Sequence, residues 1–133
     1  MRKSEDAERG RWAENLAAEH LKHRGLKLIT RNYRCRWGEI DLVMREGKIV
    51  VFVEVRFRSR LGLTTGAESV DARKQRKLIT TAEHFLQRKP ALATQPCQFD
   101  VVSISNTSSG NEKFGEPEID WIRSAFDASV NRR

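Results

Sequence analysis

The sequence contains few residues that build metal-thiolate sites, disulfides or membrane spans. Its two cysteines, Cys35 and Cys97, lie far apart without a CxxC spacing, so we expect two reduced, packed thiols and no structural zinc site. No apolar run approaches the roughly 20 residues that span a membrane, and the first ten residues lack the apolar segment of a signal peptide. These absences predict a cytoplasmic protein that has no membrane partner.

The sequence also lacks the short motifs of several large enzyme classes. It contains no GxSxG nucleophile motif, no Walker-type phosphate loop and no GxGxxG dinucleotide motif. His20 and His23 have the spacing of two metal ligands on one helix, but without a third ligand nearby we interpret them as solvated. Serine hydrolases, P-loop enzymes and dinucleotide-dependent oxidoreductases are therefore not expected.

The chain is basic and has the length of one domain. It has 25 Lys and Arg residues against 18 Asp and Glu residues, and so a formal net charge of +7 over 133 residues. Such a charge favours polyanionic partners, because basic side chains release counterions from phosphates. Composition alone does not distinguish a specific nucleic-acid partner from weak non-specific binding.

Hydrophobic periodicity predicts an α/β fold in which helices flank one mixed β-sheet. The expected order is helix, three strands, helix, strand, and a final strand or helix, in which the segment IDWIRSAF closes the sheet and starts a short helical end. A single domain is expected over residues 1–133, frayed at residues 1–8 and 128–133, with loops at residues 59–69 and 105–117. The predicted elements are helices at 8–24 and 71–88, a strand at 26–35, a β-hairpin at 38–58 and a strand from residue 97.

The segment IVVFVEVRFR predicts a buried strand with charges on one face. Alternate residues of a strand share a face, so Glu54 and Arg56 lie on the side opposite Val51 and Val53. Apolar residues on both faces are typical of a central strand. The charged pair within such a strand therefore requires an explanation.

The preceding strand brings a second carboxylate close to Glu54. We expect Ile40 and Leu42 on one face and Asp41 on the other, so that Asp41 and Glu54 lie side by side on adjoining strands. Like charges at this spacing repel, and a divalent cation such as Mg²⁺ or Mn²⁺ removes the repulsion. Glu14 falls in the apolar sector of the first helix and is expected to face inward as a third acid.

Each acid also has a simpler interpretation. Asp41 can pair with a neighbouring arginine, Glu54 with Arg56 on its own strand, and Glu14 with a charge on the flank of its helix. Convergence of all three acids instead favours a metal site that activates water and polarises a phosphodiester.

Five segments in this order carry a resemblance to a known family: GRWAENLAAEHLKHRGL, RNYRCRWGEIDLV, VFVEVRFRS, DARKQRKL and FDVVSI. The combination resembles the YraN-type family of small bacterial proteins, which is similar to archaeal Holliday-junction resolvases within the PD-(D/E)XK superfamily. The resemblance extends from Gly10 to about Phe126. It implies a restriction-endonuclease-like core, metal-dependent and structure-selective cleavage of branched DNA, and a possible homodimer.

The resemblance also implies roles for single residues. Glu14 corresponds to the acidic residue of the first helix, and Asp41 and Glu54 correspond to the Mg²⁺ or Mn²⁺ ligands. Gln75 corresponds to a residue that helps to position water or substrate. Asp100 lies in a recurring segment without a known chemical role, and we expect a structural hydrogen bond there.

Arg56 departs from the resembled motif, which has lysine at this position. Arginine keeps the positive charge and can hold a phosphate, but its side chain does not lose its proton in proteins and so cannot act as a proton acceptor. Two functions therefore stay open. One is a nuclease, and the other is a non-catalytic nucleic-acid-binding or adaptor module on the same fold.

Further basic residues are candidates for phosphate contacts. The run ARKQRK at the start of the second helix is typical either of a solvated face or of a phosphate-binding helix N-terminus. Trp37 is either a stacking platform for a base or a residue that shields the hairpin. We expect recognition of backbone geometry and DNA shape rather than of base sequence. The candidate nucleic-acid-binding residues are Arg34, Arg36, Arg58, Arg60, Arg73, Lys74, Arg76 and Lys77.

Overall fold

The computed structural model describes residues 2–58, 70–106 and 116–127. None of the helices in these three ranges is long and apolar enough to cross a membrane. The elements are α1 (Arg2–His23), β1 (Lys27–Cys35), β2 (Gly38–Glu46), β3 (Ile49–Arg58), α2 (Ala72–Gln87), α3 (Pro90–Ala93), β4 (Cys97–Asn106) and β5 (Pro117–Phe126).

The described strands form one mixed sheet in the order β1-β2-β3-β4-β5. Strands β3 and β4 are parallel, and the other neighbouring pairs are antiparallel. A parallel pair needs a crossover connection, and α2 lies within that connection. The predicted α/β class, with a mixed sheet flanked by helices, is confirmed.

Two apolar clusters cover opposite faces of the sheet. In the first cluster, Leu21 of α1 packs with Val51 and Val53 of β3. In the second, Phe85 of α2 packs with the alternate β3 residue Phe52. Strand β3 lies between β2 and β4, with α1 over one face and α2 over the other, so both of its faces are buried. The predicted alternation along β3 is therefore confirmed.

Strand β2 departs from the predicted alternation at Asp41. Ile40 and Leu42, which the sequence predicts on one face, belong to different clusters, because Ile40 packs on the α2 side and Leu42 on the α1 side. Opposite this point in β1, Asn32 adopts a positive φ of 51°, a conformation that asparagine tolerates better than most residues. The local irregularity frees the Asp41 side chain from both apolar clusters.

The last segment of the described chain is a strand throughout. The last described element is the strand of the two predicted alternatives, and no helix begins within residues 119–126, because β5 pairs with β4 as far as the Phe99–Phe126 register. Of the predicted loop at residues 105–117, residues 105, 106 and 117 belong to strands, since Asn106 pairs with Pro117, and residues 107–115 lie outside the described residues. Helix α1 extends to Arg2. The predicted loop at 59–69 and the predicted frayed end at 128–133 lie outside the described residues.

The two cysteines lie at strand ends. Both are free thiols, of which Cys35 is partly buried and Cys97 is exposed. The prediction of packed thiols is therefore wrong for Cys97, because β4 begins at that residue, where the strand emerges from the sheet. Its Sγ lies 3.7 Å from the carbonyl oxygen of Gln95.

Asp100 of β4 is a structural carboxylate. Its side chain, in a residue 1% exposed, accepts hydrogen bonds from Trp121 Nε1 at 2.8 Å, from the Ser124 backbone N–H at 2.9 Å and from Gln98 Nε2 at 3.2 Å. Two of these donors belong to β5, so the carboxylate holds β5 against β4. The predicted structural hydrogen bond at Asp100 is confirmed.

Candidate functional site

An open pocket of about 490 Å³ lies where β2, β3 and α2 meet. Strand β2 contributes Asp41, β3 contributes Glu54 and Arg56, and α2 contributes Lys74 and Lys77. We call this concavity the carboxylate pocket. Its complete lining is Gly38, Glu39, Asp41, Glu54, Val55, Arg56, Phe57, Lys74, Lys77 and Leu78.

Glu54 is a buried carboxylate that is neutralised by two cations. Lys74 Nζ lies 2.6 Å from Glu54 Oε2, and Arg56 NH1 lies 3.3 Å from the same oxygen. A carboxylate that is only 6% exposed requires such partners, since an isolated buried charge is costly. The simpler interpretation of the sequence, a Glu54–Arg56 pair, is thus present. The contact of Lys74 with Glu54 was not predicted.

Asp41 faces Glu54 without sharing its cations. The Val55 backbone N–H donates to Asp41 Oδ2 at 2.8 Å. Burial, followed by the negative charge of Glu54, raises the pKa of Asp41 to about 8, against the opposing effect of the Val55 hydrogen bond. The Asp41 carboxyl therefore retains a proton near neutral pH unless a cation relieves the repulsion.

Glu14 does not belong to the lining of the carboxylate pocket. Burial raises the pKa of Glu14, while a hydrogen bond with the Asn32 side chain and the charge of Arg31 act in the opposite direction. Its negative charge also contributes to the raised pKa of Asp41. Within the part of the chain that the structure describes, no group of three His, Cys, Asp or Glu residues is placed to hold a metal ion. The structure thus brings together two of the three predicted acids.

Gln75 supports the beginning of α2. Its Nε2 donates to the Val70 carbonyl oxygen at 2.9 Å, and its backbone N–H donates to the Asp71 carbonyl oxygen at 2.9 Å. Asp71 is the predicted N-cap, and its Oδ1 accepts from the Lys74 backbone N–H at 2.9 Å. These bonds fix the first turn of α2, while a contact of Gln75 with water or substrate stays a prediction.

A basic groove of about 380 Å³ lies beside the carboxylate pocket. Lys77 lines both concavities. At the mouth of the groove, the Arg36 guanidinium lies 4.5 Å from the centroid of the Trp37 ring, and Trp37 is 46% exposed. The groove is lined by Arg36, Trp37, Arg73, Arg76, Lys77 and Thr80. The sequence predicts four of these basic residues as contacts for nucleic acid, and the fold places them together.

Of the other candidates for nucleic-acid contacts, Lys74 lines the carboxylate pocket, and Arg34 and Arg58 do not line the groove. Arg34 Nε donates to Glu39 Oε2 at 2.9 Å in an exposed ion pair. Arg58 ends β3 and belongs to the lining of neither concavity. Arg60 lies outside the described residues. Contacts of these three arginines with nucleic acid stay predictions.

The raised pKa of Asp41 predicts a pH-dependent gain in stability for Asp41→Asn in metal-free protein. The ordinary pKa of aspartate near 4 applies to the unfolded chain, so the group contributes its full stability below about pH 4. That contribution falls between about pH 4 and pH 8 and is lost above. The variant cannot ionise, and its free energy of unfolding should exceed that of the wild type by on the order of 2 kcal/mol or more above pH 8.

Thermal unfolding in the presence of EDTA at pH 5, 7 and 9 measures this difference. Asp120→Asn, on the exposed side of β5, is the matched control. A difference between Asp41→Asn and wild type that stays constant across the three pH values would contradict the assigned environment of Asp41.

All residues that line the carboxylate pocket lie in the part of the chain that matches a known protein family. Residues 13–104 match the sequence model described as the uncharacterised protein family UPF0102. A UPF0102 protein of Pseudomonas aeruginosa is 49% identical over 121 residues, covering 91% of this chain and 94% of the relative. One of Stutzerimonas stutzeri is 50% identical over 125 residues, covering 94% and 99%. One of Pseudomonas syringae pv. syringae is 46% identical over 132 residues, covering 96% and 100%.

Proposed function

The chain belongs to the UPF0102 family, and we propose that it is a divalent-metal-dependent, structure-selective DNA endonuclease on a restriction-endonuclease-like core. The observation that carries the proposal is the placement of Asp41 and Glu54 in one pocket that shares Lys77 with a basic groove. The resemblance of the sequence to the YraN-type family, which is similar to Holliday-junction resolvases, supports the same function. Two copies on a symmetric branched DNA would supply one pocket for each of two strands.

Asp41 and Glu54 fit a hard cation such as Mg²⁺ or Mn²⁺. Mg²⁺ is typically bound by one or two carboxylates, and waters and phosphate oxygens complete its coordination. Burial, followed by the negative charge of Glu54, raises the pKa of Asp41, and a bound cation would favour the ionised form of this carboxyl. Lys74 Nζ already lies 2.6 Å from Glu54 Oε2, so a metal ion bound here would share Glu54 with this amine. When bound, the ion would polarise the phosphodiester and lower the pKa of a water ligand.

The proposed reaction is hydrolysis of a phosphodiester bond. The oxygen of a water molecule forms a bond to phosphorus, and the bond from phosphorus to one bridging oxygen breaks. The water releases its proton to the solvent, and the departing alkoxide takes a proton from the solvent. Arg56, Lys74 and Lys77 can donate to the non-bridging oxygens, which stabilises the negative charge that accumulates as the nucleophile approaches.

The basic groove is proposed to hold the DNA next to the bond that is cut. Its cations suit phosphate oxygens, which position a nucleic acid without reading its sequence. The exposed face of Trp37 suits an unpaired base, since stacking on an aromatic ring is tolerant of sequence. Together they favour branched or flapped DNA over a continuous duplex.

Incubation of the purified protein with labelled DNA tests the function directly. The substrates are a four-way junction, a flapped duplex, a single strand and a plain duplex, each with Mn²⁺, with Mg²⁺ or with EDTA. We expect metal-dependent cuts in the branched substrates. Failure to cut any substrate, or cutting that persists in EDTA, would contradict the proposal.

A second candidate function is favoured by Arg56. A guanidinium stands where the resembled motif has an amine, which suits an adaptor that binds DNA without cutting it. This function predicts salt-sensitive DNA binding that is the same in EDTA and in Mn²⁺, with no cleavage. The substrate assay above therefore separates the two candidates.

Loss of two groove cations should weaken DNA binding. We expect Arg73→Gln with Arg76→Gln to reduce affinity by about tenfold or more near 0.1 M salt, because each lost phosphate contact lowers the slope of log affinity against log salt by about 0.9. Fluorescence anisotropy across a salt series measures both quantities. Lys22→Gln with Arg24→Gln removes the same charge from the end of α1, on the other side of the sheet. An equal loss in this control would contradict the assignment of the groove.

A further inference from the structure

Lys74 approaches Glu54 more closely than Arg56 does. Its Nζ lies 2.6 Å from Glu54 Oε2, compared with 3.3 Å for Arg56 NH1. Both cations meet the same oxygen, although Lys74 comes from α2 and Arg56 comes from β3 itself. The site therefore contains a primary amine beside its buried carboxylate, delivered by a different element from the one that the sequence motif predicts.

The backbone of Lys74 is held firmly at the start of α2. Its N–H donates to the Asp71 cap, and the next residue, Gln75, bonds to the Val70 carbonyl. Val70 is itself only 3% exposed, so the entry to the helix is anchored in the core. From this fixed position the side chain of Lys74, which is 41% exposed, reaches across the mouth of the carboxylate pocket to Glu54.

The amine and the guanidinium differ in what they can do at this oxygen. A lysine ammonium is a compact, strongly hydrated charge with three donors, whereas the guanidinium of arginine spreads its charge over a rigid planar fork. One N–H of Lys74 is directed to Glu54, which leaves the other two for a water and for a phosphate oxygen. Arg56 contacts the same Glu54 oxygen at the longer distance of 3.3 Å and helps to neutralise its charge.

We propose that Lys74 is the catalytic amine of this site and takes the place of the lysine that the resembled motif has at position 56. The inference rests on the proposed nuclease function. Lys74 orients the attacking water against the phosphodiester and stabilises the charge on the non-bridging oxygens. The sequence departure at Arg56 is then compensated in space by a lysine from α2.

The competing account is an ion pair that only fastens α2 to the sheet. It predicts that Lys74→Met lowers the stability of the protein. It also predicts that adding Arg56→Lys to this variant does not restore cutting. A rescue experiment distinguishes the two accounts, because a lysine at position 56 returns an amine to the pocket without restoring the bond between α2 and β3.

The experiment compares wild type, Lys74→Met, Arg56→Lys with Lys74→Met, and Asp41→Asn in cleavage of a branched DNA with Mn²⁺. We expect Lys74→Met to lower kcat by about 100-fold or more, which is the effect of removing one donor to a developing negative charge, with little change in KM. The double variant should recover kcat to within about tenfold of wild type. Lys77→Met, one turn further along α2, should raise KM more than it lowers kcat.

Mn²⁺ affinity, measured by isothermal titration calorimetry without DNA, provides a readout other than cutting. Lys74→Met should bind Mn²⁺ at least as tightly as wild type, because a competing cation has left Glu54, whereas Glu54→Gln should bind it more weakly. Equal weakening in both variants would overturn the inference, since Lys74 would then only hold Glu54 in place.

The outcomes also separate this inference from the proposed function. Wild-type cutting by Lys74→Met, together with an inactive Asp41→Asn, would overturn the role of Lys74 and leave the nuclease function intact. An inactive double variant with wild-type thermal stability would also overturn it. Absence of cutting by the wild-type protein would overturn both.

Discussion

Asp41→Asn and Glu54→Gln are each expected to abolish metal-dependent cutting, with a rate loss of about 100-fold to 1,000-fold or more. Each substitution keeps the size and shape of the side chain and removes one negative oxygen from the pocket. Asp41 and Glu54 both line the pocket, and each is proposed to supply one metal ligand. The third acid of the lining, Glu39, is paired with Arg34. DNA binding should be retained or strengthened, because a carboxylate near the phosphates repels them.

Single-turnover cleavage of a branched DNA measures the rate loss, and anisotropy in EDTA measures DNA binding. Glu118→Gln on the exposed part of β5 is a matched control and should cut like wild type. The double variant should lose little more than each single variant, because residues that act as one unit are not additive. Undiminished cutting by both single variants would contradict the assignment of the pocket.

Asp100→Ala should cause the largest loss of stability among the buried polar positions considered, on the order of 3 to 5 kcal/mol. The substitution removes the acceptor shared by Trp121, Ser124 and Gln98. A buried donor without a partner costs about 1 to 3 kcal/mol, and the missing carboxylate adds a cavity. The loss should be accompanied by early detachment of β5 from β4.

Urea unfolding measures this loss, with Asp120→Ala on the exposed side of β5 as the control. The free energy of unfolding of Asp100→Asn should lie between those of wild type and Asp100→Ala. The amide oxygen of asparagine still accepts a hydrogen bond, but its NH₂ group faces other donors. Protein that remains folded at low temperature should cut DNA at the wild-type rate. A loss of less than about 1 kcal/mol, or a selective loss of Mn²⁺ affinity, would contradict a purely structural role for Asp100.

The sequence was sufficient for those parts of the fold that depend on local patterns. Alternation with a period of two assigned the faces of β3, including the face that carries Glu54 and Arg56. Asp71 marked the beginning of α2, because a side-chain oxygen at this position satisfies a free N–H of the first turn. The adjacency of Asp41 and Glu54 followed from the predicted hairpin.

Other features depend on contacts between distant parts of the chain. The irregularity at Asp41 involves Asn32 on the neighbouring strand, and simple alternation along β2 could not predict it. The approach of Lys74 to Glu54 depends on where α2 lies over the sheet, which the sequence does not specify. The position of Lys74 one turn after the N-cap residue Asp71 was the one sequence signal that could have indicated its role. The strand character of β5 depends on pairing with β4, which overrides the helical pattern of its last residues.

Diffraction from a crystal grown with Mn²⁺, recorded at the manganese absorption edge, would locate the metal ion. We expect an anomalous difference peak between the carboxylates of Asp41 and Glu54, with Lys74 close to the bound ion. The same crystal form of Glu54→Gln should show a weaker peak or none. Wild-type crystals grown in millimolar Mn²⁺ could instead show an anomalous peak elsewhere on the molecule and none between Asp41 and Glu54. This result would contradict the claim that the pocket is a metal-dependent nuclease site.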